Sequence, residues 1–436
     1  SYGVGEKNNL ETLANINFPH SLGLLYSAFT YFLGFKVNSG EYKVMGLAPY
    51  GQPKYKNIIY KNLIDVKEDG SFRMNMNYFD YCKGLKMTNN NFSQIFGAPP
   101  RKPESKLTQN DMDIARSIQE VTEEIVLKIA THVKSVTGMD NLCLAGGVAL
   151  NSVANGKLLK TKIFDNIWIQ PAAGDAGGAI GAALAVWYQY LSNERIVDEN
   201  NDSMKGCFLG PQFSNDEIKK FLDKNNLEYT KVSNEEIPEK ISDILNEGKI
   251  VGWHYGKMEF GPRALGARSI LADARSPKMQ EIMNLKIKFR ESFRPFAPSV
   301  LHDKSQEWFD IDRPSPYMSL VVDIAHEKKI ELTDEEKKFT GLEKLSSTRS
   351  KIPAVTHVDY SARIQTVHES TNRIYYNTIK EFNKKYNCPV IINTSFNVRG
   401  EPIVCTPEDS YKCFMATNID YLLLENFLLK KDTLTK

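Results

Sequence analysis

Residues 252–275, GWHYGKMEFGPRALGARSILADAR, place Lys257, Arg263, Arg268 and Arg275 among glycines directly after an apolar, strand-like run. A guanidinium presents a planar fork of donors suited to an oxyanion. Gly261 and Gly266 let the backbone approach a ligand and expose its N–H groups. No Walker-type Gly-Lys-Ser/Thr ending follows. The same residues also fit a surface turn whose arginines pair with Glu259, Asp273 and solvent. Two further segments favour an anion pocket. In LKIKFRESFRPFAP, Lys286, Lys288, Arg290 and Arg294 stand mostly two residues apart. On a strand that spacing gathers the cations on one face, a repulsive arrangement unless an anion or acidic partner lies opposite. NTSFNVRGEP sets Asn393, Thr394, Ser395 and Asn397 at the end of the apolar run PVII. The carboxyl end of a strand is where α/β proteins collect ligands.

The first half of the chain carries a different set. LAGGVALNS reads as a strand ending at Gly146-Gly147 with a helix from about Val148, a turn able to present N–H groups to a phosphate. AAGDAGGAIGAA holds Asp175 among glycines at a similar junction. A carboxylate there repels phosphate unless a metal sits between them. Helix packing accounts for these glycines equally well. Lys43, in GEYKVMGLAPYG, is a ribose or phosphate contact or a solvated lysine. The seven histidines form no HxxxH or HExxH pair and there is no GxSxG elbow. Cys82, Cys143, Cys207, Cys388, Cys405 and Cys413 form no CxxC pair, and several lie in apolar runs. That usage suits buried thiols in a reducing cytosol better than disulfides or zinc.

The elements that position these residues follow from periodicity. Residues 18–35 are a continuous apolar and aromatic run, and Ile114, Ile118, Val121, Ile125, Ile129 and Val133 keep helical spacing over 110–138. A buried strand over 141–147, a helix, a strand in IFDNIWIQP and a glycine-opened helix after it predict a mostly parallel sheet. Residues 192–206 read as a linker. Capping boxes at Ser214/Glu217 and Ser233/Glu236 start helices, a strand covers 249–255, and Thr406-Pro407 caps a last helix. Residues 60–105 read as an insertion with short strands and 326–352 as a charged loop. With 436 residues, 42% of them hydrophobic and 25% charged, the chain suits two or three soluble domains. A formal net charge of +2 points to neither nucleic acid nor anionic membrane, and no apolar stretch approaches the ~20 residues of a membrane span.

Taken in order, FPHSLGLLYSAFTYFLGF, GEYKVMGLAPYG, LAGGVALNSVANGK, GDAGGAIGAAL, GKMEFGPRALGARSILAD, KFRESFRPFAPSVL, SARIQTV and NTSFNVRGEPIVCTPEDS resemble the NodU/CmcH/TobZ-like O-carbamoyltransferases from about residue 18 onward. The resemblance implies an α/β chain: part of an actin-like (ASKHA) ATPase domain over 1–200, then a YrdC-like α/β domain over 201–436. It implies that the second domain makes carbamoyl-adenylate from carbamoyl phosphate and ATP with Mg²⁺. The first domain then passes the carbamoyl group to a hydroxyl of a sugar, an antibiotic or a similar small molecule, using a metal, typically Fe²⁺.

Carried onto this sequence, Arg263, Arg268 and Ser269 match the carbamoyl-phosphate and nucleotide segment. Lys288 and Arg290 match a KxR pair, joined by Arg294. Ser395, Asn397 and Gly400 match an SxN-x-x-G turn, with Gly261, Asn393 and Thr394 beside them. Gly146, Gly147 and Asn151 match the first domain's nucleotide site, with Lys43 and Gly174. Asp175 matches a metal-ligand aspartate. The family's early phosphate loop and HHxxHA motif find no match, so the expectation is a chain without the family's N-terminal lobe, completed by that lobe or a second copy. The implied compartment is the cytosol, and neither membrane nor nucleic acid is an expected partner. The two domain types also admit tRNA threonylcarbamoylation, or a nucleotide-binding fragment without catalysis.

Overall fold

Thr108 and Asp111 form a reciprocal capping box, and the left-handed Gly138 closes the helix they start, so the predicted 110–138 helix is observed as Gln109–Thr137. It buries Ile114, Ile118, Val121 and Ile125 along one face, as a stripe at helical spacing must. Ser21 likewise caps a helix over Leu22–Phe32 by accepting the Leu24 N–H. The computed structural model describes residues 1–198 and 202–434. The chain divides into two compact units, Ser1–Val197 with Lys338–Ser346, and Asp198–Lys337 with Ser347–Lys436. Residues 338–346, placed by sequence in a charged loop, thus pack with the first unit. Of the expected 192–206 linker, residues 199–201 lie outside the described residues.

In the first unit, β1 (Tyr2–Glu6) and β2 (Asn9–Ala14) form an antiparallel hairpin. The strands β3 (Asn141–Leu144) and β4 (Asn166–Ile169) form a two-stranded parallel ladder. The helix α1 (Ser152–Thr161) connects them. Leu142, Leu144 and Ile167 pack on a cluster of Ala130, Val133, Leu158 and Phe164. The alternate residues, Asn141 and Cys143, face outward. The fully buried strand expected over 141–147 is therefore half-buried, because only one of its faces is covered by helix. Cys143 and Cys82 are exposed, against the expectation of buried thiols, whereas Cys207, Cys388 and Cys413 are buried. The 60–105 insertion has the expected short strands, Ile64–Val66 and Phe72–Met74, and also a helix over Asn90–Phe96.

The second unit is built on an eight-stranded mixed sheet. In chain order its strands are β5 (Thr230–Lys231), β6 (Val251–His254), β7 (Arg268–Asp273), β8 (Ala297–Leu301), β9 (Gln365–Val367), β10 (Val390–Ser395), β11 (Tyr421–Leu424) and β12 (Phe427–Lys430). Across the sheet the order is β9-β8-β10-β7-β6-β11-β12-β5. The pairs β8–β9 and β6–β11 are parallel and the others antiparallel. Every residue of β6, β7 and β8 is buried, the polar His254, Arg268, Ser269, Asp273 and Ser299 among them. The Ser214/Glu217 capping box and the Thr406 cap form as expected, whereas the Ser233/Glu236 bonds form in the turn before the helix, which starts at Ile237 with Glu236 as its N-cap. The chain is thus mixed α/β with one large mixed sheet.

The sheet buries charge near the β11–β12 turn. Glu425 is 6% exposed and its Oε1 accepts the Gly256 N–H at 2.7 Å. Burial pushes its carboxyl up to about 7, with Arg268 acting in the opposite direction. A raised folded-state value means that, between the ordinary carboxylate range and pH 7, the folded chain holds more protons than the unfolded one. This group's contribution is therefore full at the acid end and is lost as pH rises through that window. Glu425→Gln retains an acceptor for Gly256 and removes the titration. Its unfolding midpoint, measured by calorimetry, is expected to equal wild type near pH 4.5 and to exceed it by a few degrees at pH 8.

Candidate functional site

The 256–267 loop between β6 and β7 is held from inside. Glu259, 6% exposed, accepts the backbone N–H groups of Leu265 at 2.6 Å and Ala267 at 2.8 Å, and that of Arg268 at 3.2 Å. The Gly266 carbonyl accepts from the Trp253 indole and the Asn372 amide, each at 2.9 Å, and the Leu265 carbonyl from the Gln365 amide at 2.7 Å. Gly266 has φ +103°, and a Cβ there would lie 2.4 Å from the Tyr375 ring, so only glycine fits. The loop so fixed carries a half-buried Arg263.

The second wall is not the strand that sequence spacing suggested. Met279, Met283 and Ile287 are buried at four-residue intervals. That helical period prevails, giving a helix over Met279–Ile282 and a π-turn over Met283–Ile287. Lys286 is exposed rather than aligned with the other cations. Beyond the turn, the buried Asn284 accepts from Arg290 Nε at 2.6 Å and donates to the Arg294 carbonyl at 2.9 Å. The Arg290 guanidinium lies 4.7 Å from the centre of the Phe296 ring. Glu291 stands 3.8 Å from Arg294 and 3.7 Å from Arg399.

The third wall is the end of β10. Lys288, 3% exposed, donates to the Asn397 carbonyl at 2.9 Å, to Asn397 Oδ1 at 2.8 Å and to both oxygens of Ser395. Ser395 Oγ in turn donates to Asn397 Oδ1 at 2.7 Å. Four acceptors meet an ammonium that has three hydrogens. Lys288 therefore ties the second wall to the third. Burial, then Arg290 and Arg294, hold its pKa well below the usual lysine range.

A residue not singled out from the sequence completes the cluster. Arg363, two residues before β9, has a guanidinium pKa held well below the ordinary value by burial and then by Arg263, Arg290 and Arg294. Its Nε is buried with no hydrogen-bond partner. The signal lay in SARIQTV, quoted above as a motif without a role for its arginine. Asn284 and Glu259 carry no motif signal for another reason: most of their partners are backbone groups brought close by folding.

Several expected site residues serve the scaffold instead. Arg268 is fully buried and donates to the carbonyls of Cys405, Gly256, Ala267 and Pro211, so it braces the loop rather than facing a ligand. Ser269 is fully buried and accepts the Gly266 N–H at 3.1 Å. Asn393, 1% exposed, donates to Ser299 and Gln365 within the sheet. Thr394 is half-buried on β10, Gly261 has φ +135°, and Gly400 is exposed with φ +85° and open space at its Cβ position.

In the first unit, Gly146, Gly147, Gly174 and Asp175 do lie together. The Gly146 N–H donates to the Ala173 carbonyl at 2.8 Å, and the space above Gly146 and Gly147 is open. Asn151 is committed elsewhere: its Oδ1 caps α1 at Ala154, and its amide pairs reciprocally with Gln119 at 3.0 and 3.1 Å. Lys43 lies over the Phe35 ring at 5.3 Å. Asp175 is exposed, and among the described residues no group of three or more His, Cys, Asp or Glu side chains could hold a metal ion. One carboxylate is too few ligands for iron or another transition metal, so the residues present do not fit the expected Fe²⁺ and no step is derived through it.

Residues 1–184 match the family profile for the carbamoyltransferase N-terminus, and residues 242–431 that for the carbamoyltransferase C-terminus. The chain belongs to the carbamoyltransferase family. A Synechocystis sp. relative, sll1178, is 60% identical over 429 residues, 98% of this chain and 70% of the relative. Nodulation protein NolO of Bradyrhizobium diazoefficiens is 36% identical over 95% of this chain and 70% of its own. Nodulation protein NolNO of Sinorhizobium fredii is 35% identical over 99% of this chain and 58% of its own. Among solved structures, full-length HypF in its phosphate- and nucleotide-bound form aligns with 47% of this chain and 22% of its own, at 16% identity. Its TM-score of 0.28 is too low to support a fold argument. No helix among the described residues of this carbamoyltransferase is long and apolar enough to cross a membrane.

A half-buried cluster of four arginines predicts tight anion binding. Arg363→Met is expected to weaken pyrophosphate binding, measured by titration calorimetry, by about tenfold to a hundredfold, the scale of a hydrogen bond to a charged group.

Proposed function

We propose that the chain is an O-carbamoyltransferase whose second unit activates the carbamoyl group as an adenylate. The observation that carries this reading is the convergence of Arg263, Arg290, Arg294 and Arg363 beside the neutral Ser395–Asn397 turn. Guanidinium groups gathered in this way repel one another, and a polyanion among them relieves that repulsion; carbamoyl phosphate with the ATP triphosphate supplies such charge. The stoichiometry is one carbamoyl phosphate, one ATP and one water giving carbamoyl-adenylate, pyrophosphate and phosphate. Water releases carbamate and phosphate. A carbamate oxygen then attacks the α-phosphorus, the bond from that phosphorus to the β-bridging oxygen breaks, and pyrophosphate leaves with the electron pair.

The arginines neutralise negative charge on the leaving pyrophosphate. Catalysis of this kind is mostly positioning and electrostatics. The Ser395 and Asn397 side chains, placed beside the cations by Lys288, are suited to the amide end of the carbamoyl group. In the second half-reaction an acceptor hydroxyl oxygen attacks the carbamoyl carbon, AMP leaves, and the hydroxyl proton passes to solvent. We place that step with the first unit, where the open turns at Gly146-Gly147 and Gly174 can admit a nucleotide. A sugar or antibiotic-like hydroxyl compound is the acceptor class in this reading.

Purified protein is expected to release pyrophosphate from ATP only when carbamoyl phosphate is present. Arg263→Ala is expected to lower that rate at least a hundredfold, within the range for loss of a transition-state charge contact, with circular dichroism unchanged. No carbamoyl-phosphate-dependent release by wild type overturns the reading, and undiminished release by the variant removes Arg263 from the site.

A further inference from the structure

The N–H groups of residues 265–268 all point inward. Those of Leu265, Ala267 and Arg268 go to the Glu259 carboxylate, and that of Gly266 goes to Ser269 Oγ. Consecutive N–H groups gathered around an anion form a nest of the kind that often cradles phosphate. Here the chain's own carboxylate fills it. Over residues 265–268 the loop therefore does not offer its backbone N–H groups to a ligand, contrary to what its composition suggests. It offers a side chain, Arg263, on a turn whose shape depends on Glu259.

We infer that Glu259 is a positioning residue for the anion site, acting through Arg263, an assignment that rests on the function proposed above. Three features support it. Glu259 is only 6% exposed, so it is not a surface counter-ion. Its hydrogen bonds bracket Arg263 on the C-terminal side, the nearest of them at Leu265 two residues on, while Glu259 itself lies four residues before it. The side chains on the carbonyls of the turn itself are neutral at Gly266, taken by Trp253 and Asn372, and at Leu265, taken by Gln365, while the Arg268 guanidinium takes those of Gly256 and Ala267. Glu259 is the acceptor for three of the four N–H groups of residues 265–268, and a carboxylate, which has no hydrogen, is the side chain that accepts several of them without opposing any.

Glu259→Gln conserves volume but turns an amide group toward those N–H groups. The test is a double-mutant cycle with Arg263→Ala, read as pyrophosphate affinity by titration calorimetry, which requires no turnover. The expected result is a loss of at least tenfold on Glu259→Gln with Arg263 present and less than twofold in the Arg263→Ala background. In steady-state assays the single variant is expected to raise KM for carbamoyl phosphate more than it lowers kcat. Equal losses in both backgrounds, or no loss in either, overturn the inference, because a general structural effect does not depend on Arg263. If Glu259→Gln does not fold, Asn372→Ser replaces it: serine retains the helix cap over Tyr375 but loses the bond to Gly266, and the same dependence on Arg263 is expected at about threefold. Wild type that binds pyrophosphate and fails to release it from ATP overturns the proposed reaction and leaves the role of Glu259 standing. Wild type that does not bind pyrophosphate overturns both.

Discussion

A buried carboxylate that accepts three backbone N–H groups is the constraint on which the second unit's site depends. Burying an ionised group is costly unless it is hydrogen-bonded, and Glu259 meets that condition only when the turn after Gly261 folds back on it. The fold-back brings Gly266 against Tyr375, where no side chain fits. It also directs Arg268 into the interior, where four carbonyls take its guanidinium hydrogens. Glutamate, glycine and arginine in this stretch thus have one joint structural role, and Arg263 is left facing the cluster.

The cation cluster inverts that arrangement. There the protein supplies several positive charges and holds them with the Glu291 carboxylate beside Arg294 and Arg399 and with neutral contacts: Asn284 under Arg290, the Phe296 ring beside it, and Lys288 bound to oxygens of Ser395 and Asn397. Arg363 shows the tension directly, since burial and the neighbouring guanidinium groups all disfavour its charge. In the reading proposed above, an anion among these groups relieves that repulsion, which is the form that electrostatic preorganisation takes.

In the first unit, polar residues that look available for ligands are mostly engaged inside the fold. Gln119 sits fully within the long helix, taking the Tyr26 hydroxyl at 2.8 Å and pairing with Asn151, while Glu123 takes the Gln119 amide at 2.8 Å. This buried network anchors the turn after Gly146-Gly147 to the helix. It leaves the glycine backbone as the open part of the turn and Asn151 as its support.

Much was legible in the sequence alone. Capping boxes, the helical stripe over 110–138 and the apolar central strands follow from local pattern, because each is decided by residues within a few positions of one another. The family followed from long motifs, and with it the three segments that line the cluster. What sequence could not decide was which member of each motif faces the ligand. Arg263 and Arg268 look alike in GPRALGAR, yet one borders the cluster and the other lies beneath the loop. Lys286 and Lys288 look alike in LKIK, yet a helical period overrode the strand reading and separated them. Arg363 joins from a distant segment. Residue type and order pointed to a cluster of cations and roughly where it lies. Tertiary structure decided its membership, because that depends on which acceptors fold places around each charge, and most of those acceptors are backbone carbonyl or amide groups that every residue carries.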